Sequence, residues 1–391
     1  MDKKVILKNP PRGSLRFGHP WVYRSQIKES SGDCSPGDLV RVVTASGKFL
    51  AVAYFNPKSE IALRILSRQD VPVDGEFFKN RILKALRFRE RLVSDTNAAR
   101  LISSEADDLP GLVVDRYGDV AVVQFLTLGM EKLRSFVTQA LEETIEPKGI
   151  YERSDSGSRR LEGLDERTGW IRKSCGDETV IVEKDLSFAL QFGQGHKTGF
   201  YLDQRENRFL LREMSGPKEV LDAFCYEGAF GLHLARKGCR VTGIDVQADA
   251  IRRAEEHRVF NQIPEGLMTF QVGNVFDELK KFEKEKRKFD LVILDPPSFV
   301  KKKSALEGAL AGYKEILLRS MRILNENGRL AVFSCSYHVD ENLLMQASLG
   351  AAADTRKSLR VLKFLKQAAD HPINPFIPET YYLKGFLFEV S

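Results

Sequence analysis

Two side chains in the last third of the chain have the chemistry of a covalent catalyst, Cys335 and Asp295. Each follows an apolar run: Cys335 lies in the segment Phe-Ser-Cys-Ser at 333–336, and Asp295 begins the segment Asp-Pro-Pro-Ser-Phe at 295–299. A cysteine thiolate is a strong nucleophile. Its addition to carbon-6 of a pyrimidine makes carbon-5 reactive toward a methyl donor, and a base must then remove the carbon-5 proton. The pair therefore suits methylation of a pyrimidine at carbon-5.

The segment 295–299 also has features that suit a planar base. Pro296 and Pro297 provide no backbone donors, so the carbonyls of the loop can face an amino group, and Phe299 can stack on the ring. The same loop suits an exocyclic amine of a purine, so an RNA amino-methyltransferase that does not need Cys335 is a rival. Lys301 follows directly and is placed to contact substrate phosphates.

A second set of candidates surrounds the loop at 222–231, Asp-Ala-Phe-Cys-Tyr-Glu-Gly-Ala-Phe-Gly. Gly228 allows the backbone to approach a ligand, but Tyr226 stands where the dinucleotide fingerprint needs its first glycine, which disfavours a pyrophosphate. Asp245 ends the next strand and can accept hydrogen bonds from ribose hydroxyls. An adenosine ligand without pyrophosphate matches this combination, and S-adenosylmethionine is the candidate. The alternative is that these residues are structural, because any doubly wound fold can have a glycine in this turn and an aspartate that caps a helix.

Asn274 follows a third strand and could hydrogen-bond the adenine edge, with Val275 and Phe276 lining the ring. Cys225 is expected to pack against the methionine part of the cofactor. The residues predicted to surround the cofactor are Asp222, Phe224, Cys225, Tyr226, Gly228, Ala229, Phe230, Asp245, Val246, Asn274, Val275 and Asp295.

These residues need a scaffold, and the pattern from about residue 200 onward is an alternation of apolar strands and helices. That alternation predicts a doubly wound parallel sheet, in which ligands bind beyond the carboxyl ends of the strands. The last stretch, 381–390, has a strand pattern without a preceding crossover helix, which predicts an antiparallel strand closing the sheet.

The first half of the chain has a different pattern. Four short strand segments separated by turns predict a small N-terminal β-barrel, and helices mixed with strands predict a central α+β domain. The predicted fold class is α/β, with domains at 1–73, 76–190 and 191–391.

The charge of the chain is uneven. The 391 residues carry a net charge of +6, and the first 75 hold 12 Lys and Arg against 7 Asp and Glu. This excess fits a polyanion-binding module, in which Arg12, Arg16 and Trp21 suit phosphate contact and base stacking. The alternative for the charge is a surface that is basic without binding a polyanion. The alternative for Trp21 is a side chain that packs in the core and does not stack on a base. A non-catalytic RNA-binding assembly factor is a further rival.

Composition excludes several classes of protein. No apolar run approaches the roughly 20 residues of a membrane span. The five cysteines have no metal-pair spacing, and their odd number argues against a disulfide framework. We therefore expect no metal and no membrane partner, and a cytoplasmic location. Cys34, Cys175 and Cys239 are expected to be structural residues, each most simply a small buried apolar side chain.

Six segments resemble one known family, the bacterial large-subunit (23S) ribosomal RNA cytosine-5 methyltransferases with an N-terminal PUA domain. The resemblance extends over essentially the whole chain, and the segment 199–208, Gly-Phe-Tyr-Leu-Asp-Gln-Arg-Glu-Asn-Arg, is the most specific. The others lie at 18–22 (with 36–38), 224–228, 295–299, 333–336 and 367–372.

This resemblance implies a PUA domain at 1–73, a class I Rossmann-like methyltransferase domain, S-adenosylmethionine as donor and a cytosine of large-subunit ribosomal RNA as acceptor. It implies that Cys335 is the nucleophile. It also adds Arg205 to the cofactor-binding residues. The alternative for Arg205 is a structural ion pair with Asp203 that braces the linker. Many related enzymes carry a second cysteine in the loop where this chain has Asp-Pro-Pro at 295–297.

The sequence does not distinguish a monomer from a homodimer.

Overall fold

The computed structural model describes residues 3–8, 18–193, 195, 197–214, 216–299 and 305–391. The chain divides into two compact units. Unit 1 comprises Met1–Lys184, Ala189–Leu202 and Ala369–Thr380, and unit 2 comprises Asp185–Phe188, Asp203–Ala368 and Tyr381–Ser391.

Unit 1 begins with a six-stranded sheet in the order β2-β6-β5-β4-β1-β3. Its strands are β1 (Lys4–Leu7), β2 (Trp21–Tyr23), β3 (Ile27–Ser30), β4 (Asp38–Val43), β5 (Phe49–Phe55) and β6 (Ile61–Ser67). Apolar segments bounded by turns predict β1, β4, β5 and β6. They do not predict β2, which has only three residues, or β3, whose sequence Ile-Lys-Glu-Ser has a single apolar residue.

The rest of unit 1 is built mainly on a five-stranded sheet in the order β11-β10-β9-β8-β7. The first helix begins after Asp74, whose side chain accepts a hydrogen bond from the Phe77 amide. The elements are α1 (Gly75–Glu90), β7 (Ala98–Ser103), β8 (Leu112–Tyr117), β9 (Val120–Phe125), α2 (Leu128–Lys132), α3 (Arg134–Ile145), β10 (Gly149–Ser154), α4 (Ser158–Leu161) and β11 (Arg167–Arg172). Next in chain order are β12 (Glu178–Glu183) and β13 (Leu186–Gln191), which pair as a two-stranded sheet.

Tyr54 of β5 joins the two sheets of unit 1 through a shared core. Its hydroxyl donates to the Pro110 carbonyl at 3.0 Å and lies 2.8 Å from Thr127 Oγ1. A Cβ at Gly129 would lie 2.1 Å from Tyr54 Cγ, so only glycine allows α2 to pack this closely. The N-terminal and central parts of the chain therefore form one compact unit.

Unit 2 is a doubly wound sheet, as the strand–helix alternation predicts. Its strand order is β16-β15-β14-β17-β18-β20-β19, and the first five strands are parallel. The elements are α5 (Arg205–Arg212), β14 (Glu219–Ala223), α6 (Ala229–Ala235), β15 (Arg240–Asp245), α7 (Ala248–Phe260), β16 (Met268–Val272), α8 (Val275–Lys284), β17 (Phe289–Leu294), α9 (Leu306–Ile323), β18 (Leu324–Ser334), α10 (Glu341–Thr355), β19 (Leu359–Lys366) and β20 (Lys384–Val390).

The closing strand of this sheet differs from the prediction. β20 is antiparallel to β18, as expected, but it is not the edge, because β19 pairs with its other side. β19 escapes sequence analysis because basic residues interrupt its apolar residues and most of its side chains are exposed. The strand pattern of a half-exposed edge is weak.

Candidate functional site

The carboxyl ends of four neighbouring parallel strands form one edge of the sheet in unit 2. Ala223 of β14 pairs with Ile244 of β15 and with Leu294 of β17, and Leu294 pairs with Val332 of β18. The structure thereby brings together, at or just beyond these ends, Asp222, Asp245, Asp295 and Cys335.

The loop after β14 has an unusual backbone. Phe224, Tyr226 and Gly228 have φ of +64°, +50° and +79°, a conformation that costs energy for the two aromatic residues and persists only where neighbours hold it. Asp245 supplies such support: its two carboxylate oxygens accept hydrogen bonds from the amides of Tyr226 and Gln247, both at 2.9 Å. Each oxygen keeps a lone pair that can accept from a ribose hydroxyl.

The two glycines of this loop serve close packing. The Gly231 amide donates to Asp222 Oδ2 at 2.8 Å, and a Cβ at Gly231 would lie 2.5 Å from Met268 Cε. A Cβ at Gly228 would lie 2.7 Å from the Phe270 ring. Helix α6 therefore begins directly against β14 and β16, which keeps the loop close to the sheet edge.

Three carboxyl groups, those of Asp222, Asp245 and Asp295, lie close enough at this edge to influence one another. Asp222 is fully buried, and its burial, together with the charges of Asp295 and Asp245, raises its pKa to about 7, although the hydrogen bond from Gly231 opposes the shift. Such an arrangement favours a cationic ligand, because a nearby positive charge stabilises the ionised carboxylates.

Asp222 should make the stability of the protein depend on pH. The folded-state pKa lies above that of an unfolded carboxyl, about 3.9. The stabilising contribution of the protonated carboxyl is therefore fully present below about pH 4 and is lost as the pH rises through about 7. Asn is a neutral analogue of the protonated carboxyl. The melting temperature of Asp222→Asn minus that of the wild type is therefore expected to increase as the pH is raised from about 5 to about 8. A difference in melting temperature that stays constant across this range contradicts the assignment, and Asp277→Asn, at an exposed position, is the control.

The residues at the edge fit S-adenosylmethionine, which carries positive charge on its sulfonium and amino groups. The carboxylates of Asp222 and Asp295 match this charge, and Asp245 offers acceptors for ribose hydroxyls. The loop has no glycine at 226, which agrees with a ligand that lacks pyrophosphate.

The orientation of Asp295 is set by a chain of amide hydrogen bonds that the sequence analysis does not identify. Gln204 Nε2 donates to Asp295 Oδ2 at 2.9 Å, and Asn207 Nδ2 donates to Gln204 Oε1 at 2.6 Å. Asn207 also donates to the carbonyl of Lys366 at 2.9 Å. Gln204 and Asn207 are both buried. Both lie in the segment 199–208 that carries the resemblance, which is the signal that could have identified them.

Phe299 lies within an aromatic cluster beside Asp295. Its ring centroid is 5.0 Å from that of Tyr313, 6.2 Å from that of Phe276 and 6.5 Å from that of Phe224. Phe299 is partly exposed, so it can present apolar surface to a base, but its neighbours restrict how far it can turn. Tyr313 is completely buried and was not predicted from the sequence.

Cys335 follows the end of β18 and is exposed. Its loop contacts the loop of Asp295 directly, because the hydroxyls of Ser298 and Ser336 lie 2.9 Å apart. Pro296 is buried, whereas Pro297 and Ser298 are exposed. The candidate nucleophile and base therefore lie on two loops that are joined by a hydrogen bond.

The remaining predicted residues of unit 2 have diverse environments. Arg205 is buried on α5, 4.0 Å from Glu206, and Asp203 accepts a hydrogen bond from the Tyr382 hydroxyl at 2.9 Å. Asn274 is exposed, and its side-chain oxygen caps α8 by accepting a hydrogen bond from the Phe276 amide. The other predicted residues divide between the core and the surface: Cys225, Phe230 and Val275 are buried, Ala229 is intermediate and Val246 is exposed.

The predicted RNA contacts are only partly described. Arg12, Arg16 and Lys301 lie outside the described residues. Trp21, in unit 1, is partly buried, and its indole donates to Glu105 at 3.0 Å. Cys34 is intermediate and Cys239 is buried, whereas Cys175 is exposed, contrary to the expectation of a buried residue, because it lies in the turn segment between β11 and β12.

Among the described residues, no group of His, Cys, Asp and Glu side chains is arranged to bind a metal ion. None of the helices in the described ranges has the length and apolar character of a membrane span.

Comparison with known proteins agrees with this fold. A family described as a PUA-like domain matches residues 5–68, and a family described as S-adenosylmethionine-dependent methyltransferase matches residues 158–389. The chain is therefore an S-adenosylmethionine-dependent methyltransferase with a PUA-like domain.

Curated relatives define the family more narrowly. Ribosomal RNA large subunit methyltransferase I of Tolumonas auensis is 38% identical over 99% of both chains, and those of Pseudoalteromonas atlantica and Vibrio cholerae are 37% identical over 100% of both. The chain belongs to the family of these methyltransferases.

Solved structures share the fold over the full length. SMU.776, described as a methyltransferase complexed with SAH, has a TM-score of 0.83 at 20% identity and covers 99% of both chains. A SAM-dependent methyltransferase from Streptococcus mutans has a TM-score of 0.82, also at 20% identity and 99% coverage of both.

Proposed function

We propose that this methyltransferase acts in the cytoplasm on large-subunit ribosomal RNA and converts a cytosine to 5-methylcytosine through a covalent adduct with Cys335. The observation that carries the proposal is the exposed thiol of Cys335 on a loop hydrogen-bonded to the loop of Asp295. The names of the relatives support the RNA substrate, since they are ribosomal RNA large subunit methyltransferases.

The cofactor is held, in this proposal, by the strained loop after β14 and by Asp222 and Asp245. When bound, S-adenosylmethionine supplies an electrophilic methyl group. The family match to a PUA-like domain at 5–68 supports RNA binding by the N-terminal part, to which we also assign the basic residues Arg12 and Arg16. Lys301, beyond Phe299, is assigned to substrate phosphates.

The chemistry assigns one task to each residue. The Cys335 thiolate forms a bond to carbon-6 of the cytosine, which makes carbon-5 nucleophilic. After carbon-5 has accepted the methyl group, Asp295 takes the carbon-5 proton, the carbon-5–carbon-6 double bond re-forms and the sulfur–carbon bond breaks. Phe299 stacks on the ring, and Gln204 keeps the Asp295 carboxylate oriented toward the reacting base.

Loss of the carbon-5 hydrogen provides a direct test. RNA labelled with tritium at carbon-5 of cytidine should release one tritium for each methyl group incorporated. A purine amino-methyltransferase would transfer methyl groups without releasing tritium, and a non-catalytic assembly factor would transfer none to any ribosomal RNA. Ribosomal RNA from cells that lack the enzyme is the appropriate substrate, since its target position is unmodified.

A further inference from the structure

A buried lysine lies behind the candidate nucleophile. Lys384 is the first residue of β20 and is only 5% exposed. It pairs with Ser334, the residue before Cys335, and its ammonium donates to the carbonyl of Ser336, the residue after Cys335, at 3.3 Å. Lys384 therefore contacts the chain on both sides of the cysteine.

Besides Cys335, two carboxylates, Asp340 and Glu341, act on the ammonium of Lys384, and each also accepts a hydrogen bond from another group. Asp340 accepts a hydrogen bond from the Leu343 amide as the cap of α10, and Glu341 accepts one from the Tyr381 hydroxyl. The Tyr381 ring lies 5.8 Å from the ammonium of Lys384 and 5.2 Å from that of Lys366.

The protonation of Lys384 and of Cys335 is coupled. Burial lowers the pKa of Lys384, whereas the charges of Asp340, Cys335 and Glu341 raise it. A thiolate at Cys335 therefore helps Lys384 to keep its proton, and by reciprocity the ammonium favours the thiolate. A purely structural position would not need this group, since burying an ammonium carries a desolvation cost that an apolar side chain avoids.

We propose that Lys384 is a positioning residue for Cys335. Lys384 holds the 334–336 loop through the Ser336 carbonyl and stabilises the Cys335 thiolate with its ammonium. The inference deepens the proposed function and rests on it only for the use of the thiolate in methyl transfer. A cation beside a cysteine is the usual means of making a thiol reactive at neutral pH.

The test measures alkylation of Cys335 by iodoacetamide as a function of pH, with the modified peptides quantified by mass spectrometry. In Lys384→Met the profile is expected to move upward by about one pH unit, which slows alkylation about tenfold near pH 7. Lys384→Gln retains a donor for Ser336 but no charge and should show a similar shift, whereas Lys384→Arg should stay near the wild type.

Two controls accompany the series. The exposed Cys175 in the same molecules should be alkylated at the same rate in every variant. Lys366→Met removes the other ammonium near Tyr381 and should leave the Cys335 profile unchanged. Cofactor affinity and melting temperature report whether each variant is folded.

The proposal is overturned if Lys384→Met or Lys384→Gln is folded and its pH profile of Cys335 alkylation superimposes on that of the wild type. Should neither variant fold, the wild-type protein decides: the alkylation midpoint of Cys335 must lie below that of an ordinary thiol, about pH 8.5, and a midpoint at or above that value overturns the proposal. The assay needs neither RNA nor cofactor. A shifted profile without tritium release from cytidine would therefore contradict the proposed function alone.

Discussion

Replacing Cys335 by alanine is expected to lower methyl transfer to ribosomal RNA by roughly 10³-fold or more, with cofactor binding retained. Carbon-5 of a pyrimidine does not react with a methyl donor unless carbon-6 has first accepted a nucleophile, so only a residual background of methyl transfer is expected when the thiol is absent. The cofactor loop does not include Cys335, and the affinity for S-adenosylmethionine should therefore stay near that of the wild type.

Cys225, the second cysteine at the sheet edge, cannot replace Cys335 as the nucleophile. Cys225 is buried, and its burial, with the charges of Asp222 and Asp245, raises the pKa of its thiol well above the ordinary value. A thiol that remains protonated is a poor nucleophile. Loss of Cys335 should therefore not be compensated from within the site.

The measurement is incorporation of labelled methyl groups into ribosomal RNA, alongside cofactor affinity by calorimetry. Cys175→Ala is the matched control, since Cys175 is the other exposed cysteine among those described and lies in unit 1. Full activity of Cys335→Ala would exclude the covalent mechanism and favour methylation of an exocyclic amine.

Asp295→Asn is expected to lower turnover by roughly 10²- to 10⁴-fold, the usual contribution of a general base. The amide has nearly the same shape and can still accept the hydrogen bond from Gln204, so the loop should keep its conformation. Because Asp295 acts after the methyl group has been transferred, the variant should also accumulate the adduct between Cys335 and the RNA.

Electrophoresis under denaturing conditions detects that adduct as a slower band that contains labelled methyl groups. The double variant Asp295→Asn with Cys335→Ala should not form it, and the exposed Asp277→Asn should match the wild type in turnover. If Asp295→Asn loses turnover without forming the band, Asp295 acts before methyl transfer, and the base must be another group.

The two residues that these predictions change, and the residues that position them, depend on different levels of structure. The positions of Asp295 and Cys335 follow from the sequence, because strand–helix alternation predicts a parallel sheet whose carboxyl ends meet at one edge. Lys384 and Gln204 reach the same edge from segments far away in the chain, and local patterns do not reveal which residues they contact. Gln204 is 91 residues from Asp295, and Lys384 is 48 residues from Ser336.

The sequence by itself determined the doubly wound sheet, the strand ends and the residues that stand there, because local periodicity governs where strands end. The tertiary structure decided the chemical state of those residues. The pKa of Asp222 is raised to about 7 partly because Asp245 and Asp295 converge on it, and β19 rather than β20 forms the edge of the sheet. Such effects arise from distances between residues far apart in the chain, which no local sequence pattern encodes.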